Sequence, residues 1–306
     1  ALVQHLGQTN IAERLSNRDA ALWGLDNDQQ ASISNRLGWL PVVEAMLGEA
    51  RSGFFSDFAE EVRDRDYEFV VLLGMGGSSL APDVFTRMFG PTEEFPDLIV
   101  LDTTNPDTIT RVEAEIMGRK ALFIVSTKSG TTVETMSLYR YFYSIKDENG
   151  DNFIAITDPG TPLDSEAQEK GFWKIFRNPA DIGGRYSSLS YFGLVAAAAM
   201  GVDVEEMLLR ARRMLRLHDA NHPAIWLGAV LGAAQKAGRD KLTIVSTLGW
   251  EPYADWLEQL IAESSGKRGT GVLPVIAESI FDTSAYGDDR LFVYFRGAHE
   301  GSETDE

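Results

Sequence analysis

From Phe69 onward the chain alternates short, almost wholly apolar runs with longer amphipathic stretches. The runs are Phe69–Leu73, Leu98–Leu101, Ala121–Ser126, Phe153–Thr157 and a weaker Trp173–Phe176. Apolar residues at nearly every position of a short run predict strands covered on both faces. Amphipathic segments between them predict βαβ units and a parallel sheet sandwiched by helices. Residues 1–66 show no such runs and read as helical. Asp28 is placed to cap a helix ending near Leu37, with Gly38 as its left-handed stop, and Pro41 suits the first turn of the next helix. Val42, Val43, Met46 and Leu47, then Phe54, Phe55 and Phe58, form one apolar face, so this segment is read as an arm packed on a larger body.

Residues 190–236 read as helical and alanine-rich. Beyond them Leu242–Thr247, a helical stretch Tyr253–Ser264, Val272–Ile276 and Leu291–Phe295 predict a second α/β unit, short of strands. The expected division is a helical arm at 1–66, a first α/β domain at 67–202, a partial second one at 203–296 and an acidic tail at 297–306.

Composition narrows the partners. Among 306 residues, 44% are hydrophobic and 24% charged, which fits a globular chain and excludes global disorder. The net charge of −18 repels phosphodiester backbones and anionic lipid, so neither nucleic acid nor a membrane surface is expected. An anionic ligand would need local donors working against that field. With no cysteine, disulfides, thiolate metal sites, iron–sulfur clusters and thiol nucleophiles are excluded, and the cytoplasm is the expected compartment. Ala1–Gln8 lacks the basic and apolar regions of a secretion signal. The longest uncharged stretch, Tyr186–Val202, is shorter and more polar than the ~20 residues a membrane span requires.

Two loops are built to meet an anion. Gly74-Met75-Gly76-Gly77-Ser78-Ser79 follows the first strand and opens a helix, so its backbone N–H groups and the helix dipole converge on one point. A dinucleotide site is one use of such a loop: Asp102 ends the second strand, where a ribose-binding acid would sit, although Ser79 replaces the third glycine of that fingerprint. A tight turn without a ligand is the other. Thr127-Lys128-Ser129-Gly130-Thr131-Thr132 follows the third strand, again before a helix. Its hydroxyls, ammonium and glycine suit the oxygens of a phosphate monoester. A Ser/Thr-rich cap, with Thr131 and Glu134 as a capping box, accounts for part of the run but not all of it. Neither loop has the Gly-Lys-Ser/Thr of a P-loop. Two such loops on adjacent strands favour a small phosphorylated ligand at the C-terminal edge of the sheet.

Two further stretches can carry chemistry. Arg185, in Gly183-Gly184-Arg185-Tyr186-Ser187, can extend its donor fork into a cleft toward a developing oxyanion, or can be a surface arginine. Gln259 and Glu263 share a helix face at i and i+4. Glu263 lies in the last turn, where the dipole disfavours a carboxylate, and Gly266 would stop the helix. A solvated acidic face shared with Glu258 is the plainer alternative. His218 and His222 have metal-like spacing, but Pro223 breaks the helical register and no third ligand is suggested, so no metal is expected. His5 and His299 lie near the ends and read as solvated.

Taken in order and spacing, Gly74–Ser79, Thr127–Thr132, Gly183–Ser187 and Gln259–Lys267 resemble the phosphoglucose isomerases, over a span from about Asn10 to about Phe295. The resemblance is closest to the isomerase portion of bacterial proteins in which transaldolase and phosphoglucose isomerase are fused. It implies two sugar-isomerase (SIS) domains, the first a flavodoxin-like parallel sheet between helices, the second incomplete here. It implies interconversion of glucose 6-phosphate and fructose 6-phosphate without a cofactor. Carried over residue by residue, Gly77, Ser78, Thr127, Lys128, Ser129 and Thr132 hold the phosphate. Arg185 steadies the enediolate, Glu263 moves the proton between C1 and C2, and Gln259 contacts the substrate. A homodimer and a fused or adjacent transaldolase domain are left open as partners.

The chemistry agrees in kind: an aldose–ketose shift needs one base beside a carbon α to a carbonyl and donors for the oxyanion. One departure stands. The family also uses a histidine and a lysine from later segments for ring opening, and no matching histidine motif follows Glu263, nor does the sequence hold the late lysine. The expectation is therefore a piece of a longer protein, or a site completed by other residues or chains. A non-catalytic sugar-phosphate-binding module and an NAD-dependent oxidoreductase resting on Gly74–Ser79 and Asp102 are the alternatives.

Overall fold

Each of the five apolar runs becomes a strand. The computed structural model describes residues 10–23, 26–215, 222–246 and 249–295. Strands β1 (Phe69–Gly74), β2 (Asp97–Leu101), β3 (Ala121–Ser126), β4 (Phe153–Thr157) and β5 (Lys174–Arg177) pair in parallel throughout, in the order β2-β1-β3-β4-β5. The helices preceding and joining them are α1 (Ile11–Ser16), α2 (Asn27–Ser34), α3 (Val42–Arg51), α4 (Phe54–Asp64), α5 (Leu80–Phe89), α6 (Pro106–Glu115), α7 (Val133–Ile145), α8 (Pro162–Glu169), α9 (Tyr191–Ala199) and α10 (Val204–Leu215).

The continuous apolarity of the runs is explained by two cores, one on each face of the sheet. Side chains alternate across a strand. Val70, Leu72, Leu122, Ile124, Ile154 and Ile156 therefore meet α3, α4, α9 and α10 on one face. Phe69, Val71, Leu73, Phe123, Val125 and Phe153 meet α6, α7 and α8 on the other. Every residue of β1, β3 and β4 is buried. The apolar face of the arm is thus one wall of the first core, with Val42, Met46, Leu47, Phe55, Phe58 and Val62 inside it.

Two details at the arm differ from expectation. Asp26, not Asp28, caps α2, its carboxylate accepting from the Gln29 N–H at 2.8 Å. The helix stops at Ser34, before Leu37, because Leu37 pairs with Ile182 in an antiparallel bridge. Gly38 is not a left-handed stop: its N–H donates to the Asp181 carbonyl at 3.0 Å.

The chain divides into two compact units, one from Glu13 to Leu217 and the other combining the flanking segments, Ala1–Ala12 and His218–Glu306. Helix α10 belongs with the large sheet, since Val204 and Leu208 are in its core. That one helix separates this division from a boundary at 202/203. In the second unit, α11 (Pro223–Lys236) and α12 (Glu251–Ser265) accompany a parallel sheet of β6 (Lys241–Ser246), β7 (Leu273–Val275) and β8 (Arg290–Phe295) in the order β7-β6-β8. Leu242, Ile244 and Ala254 are buried there, whereas Leu273, Phe292 and Tyr294 are exposed. His222 caps α11, its Nδ1 accepting from the Ala224 N–H at 3.1 Å ahead of Pro223 at the first position. Thr247, His5, His218, His299 and the acidic tail 297–306 lie outside the described residues. Among the described residues no trio of metal-ligating side chains is arranged for an ion, and no helix is long and apolar enough to cross a membrane.

Ile124 is fully buried in β3, while Val133 at the start of α7 is 74% exposed. Ile124→Ala should lower unfolding free energy by about 2–5 kcal/mol, and Val133→Ala should stay within about 0.5 kcal/mol, in urea titrations. Equal effects would contradict the two-faced core.

Candidate functional site

In the order β2-β1-β3-β4-β5 the winding reverses between β1 and β3, and a crevice opens beyond the carboxyl ends of those two strands. The loops 74–79 and 127–132 are the two that leave those ends. The first makes one 3₁₀ turn at Gly76–Ser78, with Gly76 at φ +55°. Ser79 is completely buried and its hydroxyl donates to the Gly76 carbonyl at 3.1 Å. The residue that replaces the third fingerprint glycine therefore closes the turn on itself. Ser126, at the end of β3, donates to the Ser78 carbonyl at 3.1 Å and ties the two loops together.

The hydroxyl-rich loop is internally braced. Thr127 and Thr132 share a hydroxyl–hydroxyl bond of 2.8 Å, and the Thr131 N–H and hydroxyl donate to Ser129 Oγ at 3.2 and 2.9 Å. The expected Thr131–Glu134 capping box is not formed. Thr132 is the N-cap of α7, and no side chain caps the helix because Thr132 is turned toward Thr127 and Thr131 toward Ser129. The first-turn amides of this 13-residue helix thus lack a side-chain cap, beside a lysine and several hydroxyls.

Arg185 reaches this loop pair through backbone contact. A Cβ at Gly77 would stand 2.3 Å from the Gly184 carbonyl oxygen and 2.5 Å from its carbon. Ser187, buried beneath, donates to the Gly184 carbonyl at 2.7 Å and to that of Gly77 at 3.3 Å. The turn Gly184–Tyr186, which carries Arg185, is thereby fastened to the glycine loop. The arm fastens it from outside: Leu37 bridges to Ile182, and Trp39 stacks on Tyr186 at 5.2 Å between centroids.

These parts enclose a cleft of about 870 Å³ lined by Gly77, Ser78, Lys128, Ser129, Thr132 and Gly184. That volume suits a small ligand. Sequence patterns alone missed other lining residues: Asn35 and Arg36 from the arm, Asp158 and Thr161 after β4, and Asp181 before the Gly-Gly-Arg turn. The sheet-edge rule could have found Asp158 and Thr161, since they follow a strand as the other two loops do. The arm residues carry no such signal.

Asp158 changes the electrostatics. Lys128 Nζ donates to the Asp158 carboxylate and to the Ala180 carbonyl, the latter at 3.0 Å. Burial pushes the Asp158 carboxyl above the usual carboxylate range, opposed by the charges of Lys128 and Arg36. Its Oδ1 is buried and has no hydrogen-bond partner among the described residues. The loop holding it is anchored by buried Asp164, which accepts from the Gly160 N–H at 2.9 Å and from Arg177 at 2.8–3.1 Å. The Arg177 hydrogen bond, chiefly, holds the Asp164 carboxyl below its ordinary value.

The remaining two site candidates are in the smaller unit, on α12. Gln259 Nε2 donates to Glu263 Oε1 at 3.0 Å, so the i,i+4 face forms as expected. The helix ends at Ser265, and a Cβ at Gly266 would meet the Ala262 carbonyl oxygen at 2.6 Å, so Gly266 is its stop for reasons of space. Lys267 donates back to the Glu263 carbonyl at 2.6 Å.

Comparison with known proteins gives one family. The profile described as Phosphoglucose isomerase matches residues 17–270, short of the 10–295 span suggested by the motifs. A glucose-6-phosphate isomerase of Carboxydothermus hydrogenoformans is 34% identical over 230 residues, covering 69% of this chain and 49% of the relative. One of Methanocaldococcus jannaschii is 30% identical over 220 residues, covering 69% and 54%. The chain spans about half the length of the curated relatives it matches. A crystal structure of a hypothetical protein from Thermus thermophilus superposes with a TM-score of 0.73 at 26% identity, over 89% of this chain and 65% of the other.

The approach of Gly77 to Gly184 makes a steric prediction. Gly77→Ala must push the Gly184–Arg185 turn away and should cost about 1–3 kcal/mol in denaturant melts. Gly184→Ala meets nothing within 4 Å and should stay within about 0.5 kcal/mol of the parent.

Proposed function

The chain belongs to the phosphoglucose isomerase family, and from that premise we propose that it interconverts glucose 6-phosphate and fructose 6-phosphate by proton transfer through an enediolate. One observation carries the proposal within the structure: at the β1/β3 crevice, a glycine loop, a hydroxyl- and lysine-bearing loop and the Gly-Gly-Arg turn line one cleft. Neutral hydroxyls, amides and an ammonium are the donors a phosphate monoester needs in a chain of net charge −18.

The roles follow from the chemistry. Gly77, Ser78, Thr127, Lys128, Ser129 and Thr132 anchor the 6-phosphate. Glu263 takes the proton from C2 of the open-chain aldose, and the electron pair moves into the carbonyl to leave an enediolate. Arg185 donates to that oxyanion while the O2 hydroxyl proton passes to O1; the carbonyl then re-forms at C2 as the proton held by Glu263 returns at C1 to give the ketose. Gln259, hydrogen-bonded to the Glu263 carboxylate, orients it and contacts substrate. No step requires a cofactor. Ring opening is assigned to no residue of this chain. A cytoplasmic setting, a second copy of the chain and a fused or adjacent transaldolase domain belong to the same proposal as its context.

The direct test is a coupled isomerase assay on this chain beside a C-terminally longer polypeptide. Binding of fructose 6-phosphate with no turnover in either would make the protein a sugar-phosphate-binding module instead. Saturable binding of NAD, with Asp102 at the ribose, would point to the oxidoreductase alternative.

Two variants sharpen the test. Lys128→Ala removes a charge-assisted bond worth about 1.5–3 kcal/mol and leaves Asp158 without its hydrogen-bonded cation in the cleft. Fructose 6-phosphate should bind at least about tenfold more weakly by calorimetry, and Lys128→Ala with Asp158→Asn should regain part of the loss. In a turnover-competent form, Glu263→Gln should lower kcat by about 10²–10⁴-fold, with deuterium exchange at C2 falling in parallel. Glu258→Gln should leave both nearly unchanged; the reverse outcome would move the base to Glu258.

A further inference from the structure

The phosphate cleft has a charge deficit. Lys128 is its one lysine, and that ammonium is already committed to the Asp158 carboxylate and the Ala180 carbonyl. Asp181 adds a second negative charge to the lining. Lys128, Asp158 and Asp181 together leave the lining negative, whereas the bound end of a phosphate monoester carries about −1.5 to −2 at neutral pH. Opposite charges must therefore come from elsewhere on the cleft wall.

Arg36 stands there. It lines the cleft from the arm, just after the C-terminus of α2, and it lies within the electrostatic reach of Asp158. Its guanidinium makes no hydrogen bond or ion pair among the described residues, so its five donors are uncommitted. The backbone holds the residue in place on both sides. The Arg36 N–H donates to the Ile33 carbonyl at 2.8 Å, and the next residue, Leu37, is pinned to Ile182 by the antiparallel bridge. Gly38 extends that seam by donating to the Asp181 carbonyl, and a Cβ there would displace the Asp181 carboxylate.

We infer that Arg36 is an anion-binding residue of this cleft, donating to the phosphate of a sugar phosphate alongside Lys128 and turning the lining from net negative to neutral. The inference deepens the isomerase proposal and rests on it only for the sugar: the cleft's need for a second cation holds for any phosphate monoester. It also gives the arm a role in ligand binding besides its packing role, because the bridge that positions Arg36 is the one that braces the Gly-Gly-Arg turn.

The test is calorimetric titration of the parent protein, Arg36→Gln and Arg36→Lys with fructose 6-phosphate, inorganic phosphate and free fructose, at two salt concentrations. Arg36→Gln should weaken both phosphate ligands at least fivefold, flatten the salt dependence of their binding and leave the melting temperature unchanged. Arg36→Lys should recover part of the affinity. Phosphate ligands bound equally by the parent and Arg36→Gln would overturn the role of Arg36 while leaving the isomerase proposal intact. Loss confined to inorganic phosphate, with no hexose phosphate bound by the parent, would support Arg36 and overturn the sugar-phosphate proposal. A parent that takes neither anion would overturn both.

Discussion

The backbones of Gly77 and Gly184 come so close that no side chain fits at 77, and the cleft is organised around that contact. The glycine loop comes from the end of β1, and the Gly-Gly-Arg turn comes from more than a hundred residues later in the chain. Ser187 sits beneath both, its single hydroxyl proton directed mainly at the Gly184 carbonyl and shared with that of Gly77, which ties the two loops together. Glycine at 77 thus has a packing reason independent of any anion.

Around this contact the remaining parts are placed by sheet topology. Because the strand order reverses between β1 and β3, the loops after these two neighbouring strands diverge and leave a space between them. A third loop, after β4, contributes Asp158 and is anchored by the ion pair between buried Asp164 and exposed Arg177. The result is a cleft that mixes charges. Its ammonium is balanced by a carboxylate rather than left as a bare cation. In a chain with net charge −18, any anion at this edge would depend on such local arrangement.

The smaller unit follows different physics. A parallel sheet is ordinarily buried on both faces. Here only the middle of β6, Leu242 to Ile244, is buried, and β7 and β8 leave Leu273, Phe292 and Tyr294 exposed. The helix bearing Gln259 and Glu263 is nonetheless sharply defined, because the tight approach at Gly266 and the Ser265 hydroxyl, which accepts from the Val272 N–H at 2.9 Å, lock its end.

Much of this was legible in the residues alone. Strands β3 and β4 match their predicted runs residue for residue, since burial on both faces leaves a continuous apolar signature that needs no partner to be read. The two anion-competent loops were legible for a similar reason: glycines and hydroxyls clustered after a strand are a local pattern. The Gln259–Glu263 hydrogen bond follows from helical spacing. What the sequence could not determine is pairing across distance. The Thr131–Glu134 box lost to contacts with Ser129 and Thr127. The helix near Leu37 was cut short by Ile182. Arg36 and Asp158 joined the cleft only because folding brought the arm and a third loop to the same sheet edge. Periodicity records which face of a segment is buried, but it holds no information about which distant segment covers it. That choice is made by the shapes and charges that meet when the layers close.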